Sequence, residues 1–292
     1  MKTLFLINPT SGRDGTAALK RRVLDYVATL RDADAIVLTR PGQAADIAST
    51  ACECGYRRLI VVAGDGTFNE VINGLADSDL SVGIVPLGTG NVLGNELGLI
   101  SDDVDRSLHI ATNGVERAFD VGVAGGRRFL LMAGFGFDAA VVRSVPAYAK
   151  GLFGRLAYAP TLVLESIRYQ PSRFRLISDE GEIHSTAYNV IVCNCATYAP
   201  NFQLAADAKA DDGLLDVIIL EHKPIMKMRF VGWLSASLFT SWTVDSAAHY
   251  RVRRLRVEAE PAVKMQLDGD VRGESGTEIA VLSRALRLVT PE

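Results

Sequence analysis

The chain is poor in the features that would mark a secreted, membrane-spanning or metal-ribbon protein. It has four cysteines in 292 residues. They fall as Cys52/Cys54 and Cys193/Cys195, a Cys-x-Cys spacing rather than the Cys-x-x-Cys of zinc ribbons and redox sites. Free thiols in a reducing, cytoplasmic setting follow, and strand alternation points Cys193 and Cys195 to one face. Long hydrophobic runs are also missing. The longest apolar segment, Phe230 to Val244, is interrupted by Ser235, Ser237 and Ser241 and falls short of the roughly 20 residues of a spanning helix. The opening run Met1–Pro9 is too brief for a signal peptide and has no small-residue cleavage site. No excess of basic charge exists, with 31 Lys and Arg against 34 Asp and Glu, and no zinc-finger or RNA-recognition signature, so nucleic acid is not an expected partner. Four histidines, His109, His184, His222 and His249, form neither an HxxxH nor a Ser-His-Asp pattern. The Lys-bearing loop Gly-x-x-x-x-Gly-Lys-[Ser/Thr] is absent, which excludes a P-loop nucleotide site. Internal repeats and low-complexity segments are absent too.

What remains is a chain with 48% hydrophobic and 22% charged residues, enough to bury substantial cores throughout. Its length suits two domains. The first alternates strand and helix: Leu4–Ile7, a helical pattern Leu19/Val23/Val27/Leu30, then Ala35–Thr39, a helix near Ala44–Cys54, and further strands at Leu59–Ala63 and Val82–Pro86. That rhythm predicts an α/β, doubly wound, mostly parallel sheet. From about Asp120 strands dominate. Hairpin signals stand at Ala124–Arg127 and Asp179–Glu182, with further strands at Leu215–Leu220, Val252–Val257, Ala262–Leu267 and Glu278–Leu282. Helical stretches at Val141–Tyr169 and Ile225–Val244 interrupt a β-sandwich-like second domain. The expected division is 1–122 and 123–292, with the final residues packing back on the first domain.

Chemistry concentrates in loops that follow predicted parallel strands. The apolar run Leu59–Ala63 ends in Gly64-Asp65-Gly66-Thr67-Phe68-Asn69-Glu70, a strand, a glycine loop and a helix start. Thr67 and Glu70 have capping-box spacing, which predicts a helix beginning at Thr67 with its unpaired N–H groups facing the loop. Gly64 and Gly66 carry no side chain to block a phosphate from the backbone. The plain alternative is a tight turn between core elements. A second loop, Pro86-Leu87-Gly88-Thr89-Gly90-Asn91, and a third, Asn8-Pro9-Thr10-Ser11-Gly12, share the same sheet edge, where wound sheets bind ligands. Asp65 is a candidate for Mg²⁺, directly or through water, or else a turn-capping aspartate. Asp268-Gly269-Asp270 reads both as a type I′ hairpin turn and as a pair of acids.

In order and spacing these elements, together with Asp211-Asp212-Gly213-Leu214-Leu215-Asp216-Val217 and Leu267-Asp268-Gly269-Asp270, resemble the signatures of the diacylglycerol kinase and sphingosine kinase superfamily, particularly its bacterial soluble lipid kinases. The resemblance spans the chain. It implies transfer of a phosphoryl group from ATP to a lipid hydroxyl, with nucleotide between the α/β and β-sandwich domains. It places ATP at Asn8, Pro9, Thr10, Ser11, Gly12, Thr39, Ala63, Gly64, Asp65, Gly66, Thr67, Phe68, Asn69, Glu70, Gly88, Thr89 and Asn91. It places Mg²⁺ at Lys209, Asp212 and Leu214, where Lys209 offers only its carbonyl because an ammonium has no acceptor. It draws the general base from Asp268-Gly269-Asp270, with Asp270 as the expected base and Asp268 beside it.

The chain departs from the family pattern at Ala63, where the family has glycine, and at Val92, where diacylglycerol kinases often carry aspartate. It departs again at Asp270, where the family has glutamate, and at Tyr198-Ala199-Pro200-Asn201 in place of a glycine-rich stretch. Partners implied are ATP and a lipid at the inner membrane surface, with a homodimer admitted. Arg143, Lys150, Arg155, Arg168, Arg173 and Arg175, among Tyr148, Phe153, Tyr158 and Tyr169, suit anionic headgroups or a solvated face. Arg251–Arg256 reads as a charged strand edge. Two other readings stay open: an NAD kinase-like enzyme, which shares the Gly-Asp-Gly-Thr element, and a catalytically weak nucleotide- or lipid-binding relative.

Overall fold

The structure is a computed structural model that describes residues 1–11, 17–75, 78–87, 90–99, 103–145, 158–199, 202–223, 228, 231–232, 242–243 and 248–292. It divides into two compact units, 1–119 with 284–292, and 120–283.

The first unit follows the alternation of its sequence: β1 (Thr3–Ile7), α1 (Ala17–Ala28), β2 (Ala33–Val37), α2 (Gln43–Ala51), β3 (Arg58–Ala63), α3 (Asp65–Gly74), β4 (Ser81–Pro86), α4 (Val92–Glu96) and α5 (Val104–Asn113). β1 pairs in parallel with β2 and β3, and β3 with β4. The last residues of the chain add a parallel strand, Arg287 and Leu288 lying opposite Ser81 and Val82. The order is therefore β2-β1-β3-β4 and then the carboxyl-terminal strand. β1, β3 and β4 are buried along their whole length, which is why they read as unbroken apolar runs and not as alternating ones. Phe5, Ile7, Ile60, Val62 and Val85 form a core with Val23 and Val27 of α1 and Leu108 and Ala111 of α5.

The second unit carries β5 (Val115–Ala124, entering from the first), β6 (Arg127–Phe129), β7 (Met132–Gly136), α6 (Phe137–Ser144), α7 (Tyr158–Arg168), β8 (Ser172–Ser178) and β9 (Gly181–Cys193). Then come β10 (Thr197–Ala199), β11 (Phe202–Gln203), β12 (Leu215–Glu221), β13 (Trp242–Thr243), β14 (Ala248–Val252), β15 (Arg254–Glu260), β16 (Lys264–Leu267), β17 (Asp270–Glu274) and β18 (Thr277–Thr290). β9 organises it: its first half pairs with β8 and its second half with β7 on one side and β12 on the other. The antiparallel layers enclose Phe129, Phe135, Phe174, Val192, Leu215, Val257, Met265 and Ile279.

Several local expectations change. Among the described residues, the helical stretch expected at Val141–Tyr169 shows two helices, α6 starting earlier at Phe137 and α7 ending at Arg168, while residues 146–157, with Tyr148, Lys150, Phe153 and Arg155, lie outside them. Most of Ile225–Val244 also lies outside them, although Trp242 and Thr243 are strand. Arg251 does sit on β14, which among the described residues pairs with β12 alone, but Arg254 and Arg256 belong to β15, which has β8 and β18 on its two sides. Their charge decorates a sheet face, not an edge. None of the four cysteines is in a disulfide, and Cys193 and Cys195 are buried.

Candidate functional site

In the first unit the chain runs from β1 outward to β2 and then crosses back to β3 on the other side of β1. This reversal opens a crevice between the loops that follow β1 and β3, the place where wound sheets hold ligands. Two hydrogen bonds join the loops there. Asn8 Nδ2 donates to Thr67 Oγ1 at 2.8 Å, and Gly64 N donates to Ser11 Oγ at 3.4 Å. Asn8 Oδ1 meanwhile accepts from the Thr10 amide and hydroxyl at 3.0 and 2.8 Å, which shapes the Asn8–Ser11 turn. Thr39 follows β2 at the same edge, and its amide and hydroxyl both donate to Gln43 Oε1.

The capping box does not form. α3 begins at Asp65, with Gly64 extended at its amino end. Thr67 is buried inside the first turn, and Glu70 reaches away to accept the Gly42 amide at 3.0 Å. The side chain of Phe68 is core, so only its backbone is available to a ligand. The Asp65 carboxylate turns to the next loop, accepting Val92 N at 3.0 Å and Leu93 N at 3.3 Å. It is thus the cap of α4, the structural alternative raised for it, and the positive end of α4 is already satisfied. Burial pushes this carboxyl above its ordinary value, against the pull of the two amides. The first-turn N–H groups of α3 have no such cap, which leaves that helix end open to an anion.

Gly66 makes the same point from the side of space. It is exposed, its φ is not positive, and a Cβ built on it meets nothing within 4 Å. Among the described residues, neither conformation nor packing asks for glycine there. Ala63 ends β3 opposite Pro86 without a positive φ, so the methyl group in place of the family's glycine costs no strain. Asn91 is buried and left-handed, with φ 43°, immediately before α4. Gly12, Gly88 and Thr89 lie outside the described residues.

In the second unit, Leu267 and Asp270 pair across Asp268 and Gly269, whose φ values are 47° and 88°. Two consecutive positive φ values make this the type I′ turn that an Asp-Gly dipeptide favours. The two acids differ sharply. Asp268 accepts the backbone N–H groups of Leu130, Leu131 and Met132 at 2.8, 2.9 and 2.9 Å, so its carboxylate anchors the turn. Asp270 is exposed and meets Arg272 at 3.2 Å, leaving a carboxylate accessible to an incoming hydroxyl.

The segment Lys209–Leu214 is a tight turn. Asp212 Oδ1 accepts Leu214 N at 3.1 Å, its other oxygen pairs with Arg251, and Gly213 N donates to Asp120 Oδ2 at 2.6 Å. One carboxylate and two backbone carbonyls form a hard-oxygen donor set of the kind that suits Mg²⁺ with part of its hydration retained. Nearby, Asp216 Oδ2 is buried without a hydrogen-bond partner, while Asp216 Oδ1 meets His249 at 2.6 Å and Arg251 at 3.5 Å. The residues therefore fit the ion, with Arg251 competing for the Asp212 carboxylate. Among the described residues no group of three or more His, Cys, Asp or Glu side chains could hold a metal.

Sequence reading missed Asp120, fully buried in the middle of β5, and it missed Asp138 and Gln266. A buried polar residue between Met265 and Leu267, in a strand otherwise read as core, was the available signal for Gln266.

The chain thus comprises a wound parallel sheet with interlocked loops at its reversal and a β-sandwich unit bearing an acidic turn. Residues 2–124 match the diacylglycerol kinase catalytic domain, and residues 132–290 match the YegS C-terminal NAD kinase beta sandwich-like domain. The chain belongs to the diacylglycerol kinase family of lipid kinases. It is 31% identical over 288 residues to a probable lipid kinase YegS-like protein of Chromohalobacter salexigens, covering 96% of this chain and 92% of that one. It is 28% identical over 298 residues to a diacylglycerol kinase of Bacillus subtilis, covering 99% and 96%. A solved diacylglycerol kinase structure from Bacillus anthracis str. Sterne shares the fold, with a TM-score of 0.75 at 20% identity over 99% of this chain and 96% of that one.

Proposed function

We propose that this kinase transfers the γ-phosphoryl group of ATP to a hydroxyl of a diacylglycerol-like or sphingoid-like lipid. The observation that carries the nucleotide half is the crevice at the sheet reversal: Asn8–Thr67 and Ser11–Gly64 lock two loops together, and beside them Gly66 meets no described residue that would require glycine. Ala63 to Glu70, the Asn8–Ser11 turn, Thr39 and Asn91 form the remaining wall, and the N–H groups of the α3 first turn meet the phosphates. Phosphoryl transfer asks chiefly for positioning and for neutralisation of charge, and backbone amides supply both without a Walker lysine. Mg²⁺, held through the carbonyls of Lys209 and Leu214 and the carboxylate of Asp212, supplies further neutralisation when bound.

Asp270 accepts the proton of the lipid hydroxyl in this reading. Its exposure, against the triple engagement of Asp268, supports that division. Asp65 holds the loop after β4 in place and reaches a metal only through oxygen lone pairs left over from the α4 amides. Association with a membrane surface is supported by α7, which exposes Leu164 at 45% and Ile167 at 72% next to Arg168. No described helix is long and apolar enough to cross a membrane.

The test is purified protein with γ-labelled ATP, Mg²⁺ and either a mixed lipid extract or NAD. Label in the organic phase supports the lipid kinase. Label on NAD supports the NAD kinase-like reading, and nucleotide binding without any transfer supports a catalytically weak relative.

A further inference from the structure

Behind the acidic turn lies a buried chain of hydrogen bonds that the reaction described above does not use. Asp138, in the first turn of α6, is 3% exposed, and Gln266 of β16 is 2% exposed. Asp138 Oδ1 accepts its neighbour Ala139 N at 2.7 Å, and Asp138 Oδ2 accepts Gln266 Nε2 at 3.1 Å. The other end of the same carboxamide, Gln266 Oε1, accepts Gly269 N at 2.7 Å. Gly269 precedes Asp270. The contact exists only because residue 134 is glycine: a Cβ there would stand 1.8 Å from Asp138 Oδ2 and 2.8 Å from Gln266 Nε2.

A carboxamide has one donating and one accepting end. An ionised Asp138 demands the donor, so it fixes which end of Gln266 faces the turn. We infer that Asp138 is a positioning residue which, through Gln266 and the Gly269 amide, holds the turn so that the Asp270 carboxylate is aimed at the lipid hydroxyl. The inference rests on the reading of Asp270 as proton acceptor.

The device is sensitive to protonation. A neutral Asp138 carries an O–H that can donate to Gln266, and a carboxamide that turns its Oε1 toward that O–H presents Nε2 to the Gly269 N–H. Two donors then face each other and the turn is released. Groups from several elements surround Asp138. Tyr198 of β10 donates to it, and the Tyr169 phenol after α7 is held above its usual range by burial and by the charge of Asp138. Asn189 of β9 accepts the Asp138 amide at 3.4 Å, and Arg143 of α6 and Glu165 of α7 act on Tyr169. Burial pushes the Asp138 carboxyl up to about 6.

Three variants, assayed by label transfer from ATP to vesicles of a mixed lipid extract containing dioleoylglycerol, test the inference with thermal melting and ATP binding as controls. Gln266→Leu leaves the Gly269 N–H without an acceptor, and kcat falls about tenfold to a hundredfold, the scale of a small misplacement of a reacting group, with the KM for ATP unchanged. Gln266→Glu restores the acceptor but sets two carboxylates together, so its pH optimum moves to acid, where they share a proton. Asp138→Asn keeps the shape and abolishes the acid limb of kcat near pH 6 that the wild type shows. Hydrogen exchange at Gly269 reports the same event without catalysis: protection relative to the intrinsic rate is lost in the wild type as pH falls through about 6. Normal kcat and pH profiles in all three variants, with Gly269 protection independent of pH, overturn the inference. If Asp270→Asn retains full turnover, it is the proton-acceptor reading that fails, and the two failures are distinct.

Discussion

Asn8 Nδ2 donates to Thr67 Oγ1 at 2.8 Å, joining the turn after β1 to the first turn of α3 across the reversal point of the sheet. The sequence separates these residues by a strand, two helices and a second strand. Their bond sets the width of the crevice in which the phosphates are proposed to lie. Thr67→Val removes the acceptor while keeping the shape. The expected outcome is a loss of about 1 kcal/mol of stability, the usual net worth of one such bond, with a KM for ATP raised several-fold. A double-mutant cycle with Asn8→Ala, read by denaturant unfolding, gives a coupling energy of about 0.5–1.5 kcal/mol. Strict additivity would disprove the link.

Asp65 is the cap of α4, and the substitution that separates capping from metal or phosphate chemistry is Asp65→Ser. Serine keeps an oxygen for the Val92 amide and removes the carboxylate. Asp65→Ala should cost about 1 kcal/mol, within the range for lost caps, and lower turnover about a hundredfold. Asp65→Ser should recover the stability. If it also recovers the turnover, Asp65 acts by capping alone.

The acids of the turn should part company. Asp268→Asn loses charge-assisted acceptance of three backbone amides and is expected to cost about 2–3 kcal/mol, the value of hydrogen bonds to charged groups. Asp270→Asn should melt within a degree or two of the wild type and lose about a hundredfold in kcat, as a positioned base does. Calorimetry and label transfer on the two variants decide the matter. A stable Asp268→Asn enzyme, or an active Asp270→Asn one, contradicts the assignment.

Asp138 has a signature in stability that is opposite in sign to its signature in rate. Its carboxyl lies at about 6 in the folded protein against an ordinary 3.8, so between those values the folded state binds the extra proton and the unfolded state does not. Stability from this group is therefore present below about pH 4 and lost as pH rises through about 6, by no more than about 3 kcal/mol. Denaturant unfolding of the wild type minus Asp138→Asn across that window should show the difference shrinking toward acid pH, while kcat of the wild type falls. A difference that does not vary with pH would mean that Asp138 is not charged in the folded protein at neutral pH.

Arg251 pairs with the carboxylate proposed for Mg²⁺. Arg251→Gln removes the competing cation, and divalent-metal affinity at the Lys209–Leu214 turn should rise several-fold. Mn²⁺ binding followed by electron paramagnetic resonance without nucleotide measures it, with Asp212→Asn as the variant that abolishes the signal. Unchanged affinity in Arg251→Gln would place the metal elsewhere.

The sequence alone determined the parallel sheet, because strands buried on both faces must be apolar throughout, and Leu4–Ile7, Leu59–Ala63 and Val82–Val85 carry that mark. It also determined the type I′ turn at Asp268-Gly269, since few dipeptides tolerate two positive φ values in succession. Both are local demands, met within a handful of residues. The capping box at Thr67 and Glu70 was equally legible and did not form, because Gly42 and Asn8 offered those side chains partners from other parts of the chain. Only the tertiary structure decided what each acid does. Asp65 meets Val92, Asp268 meets Leu130 to Met132, and Asp138 meets Gln266, with partners 27 to 138 residues away. A carboxylate looks the same in a sequence whether its oxygens are spent on backbone amides or left free for substrate, and that choice is made by the elements that fold up against it.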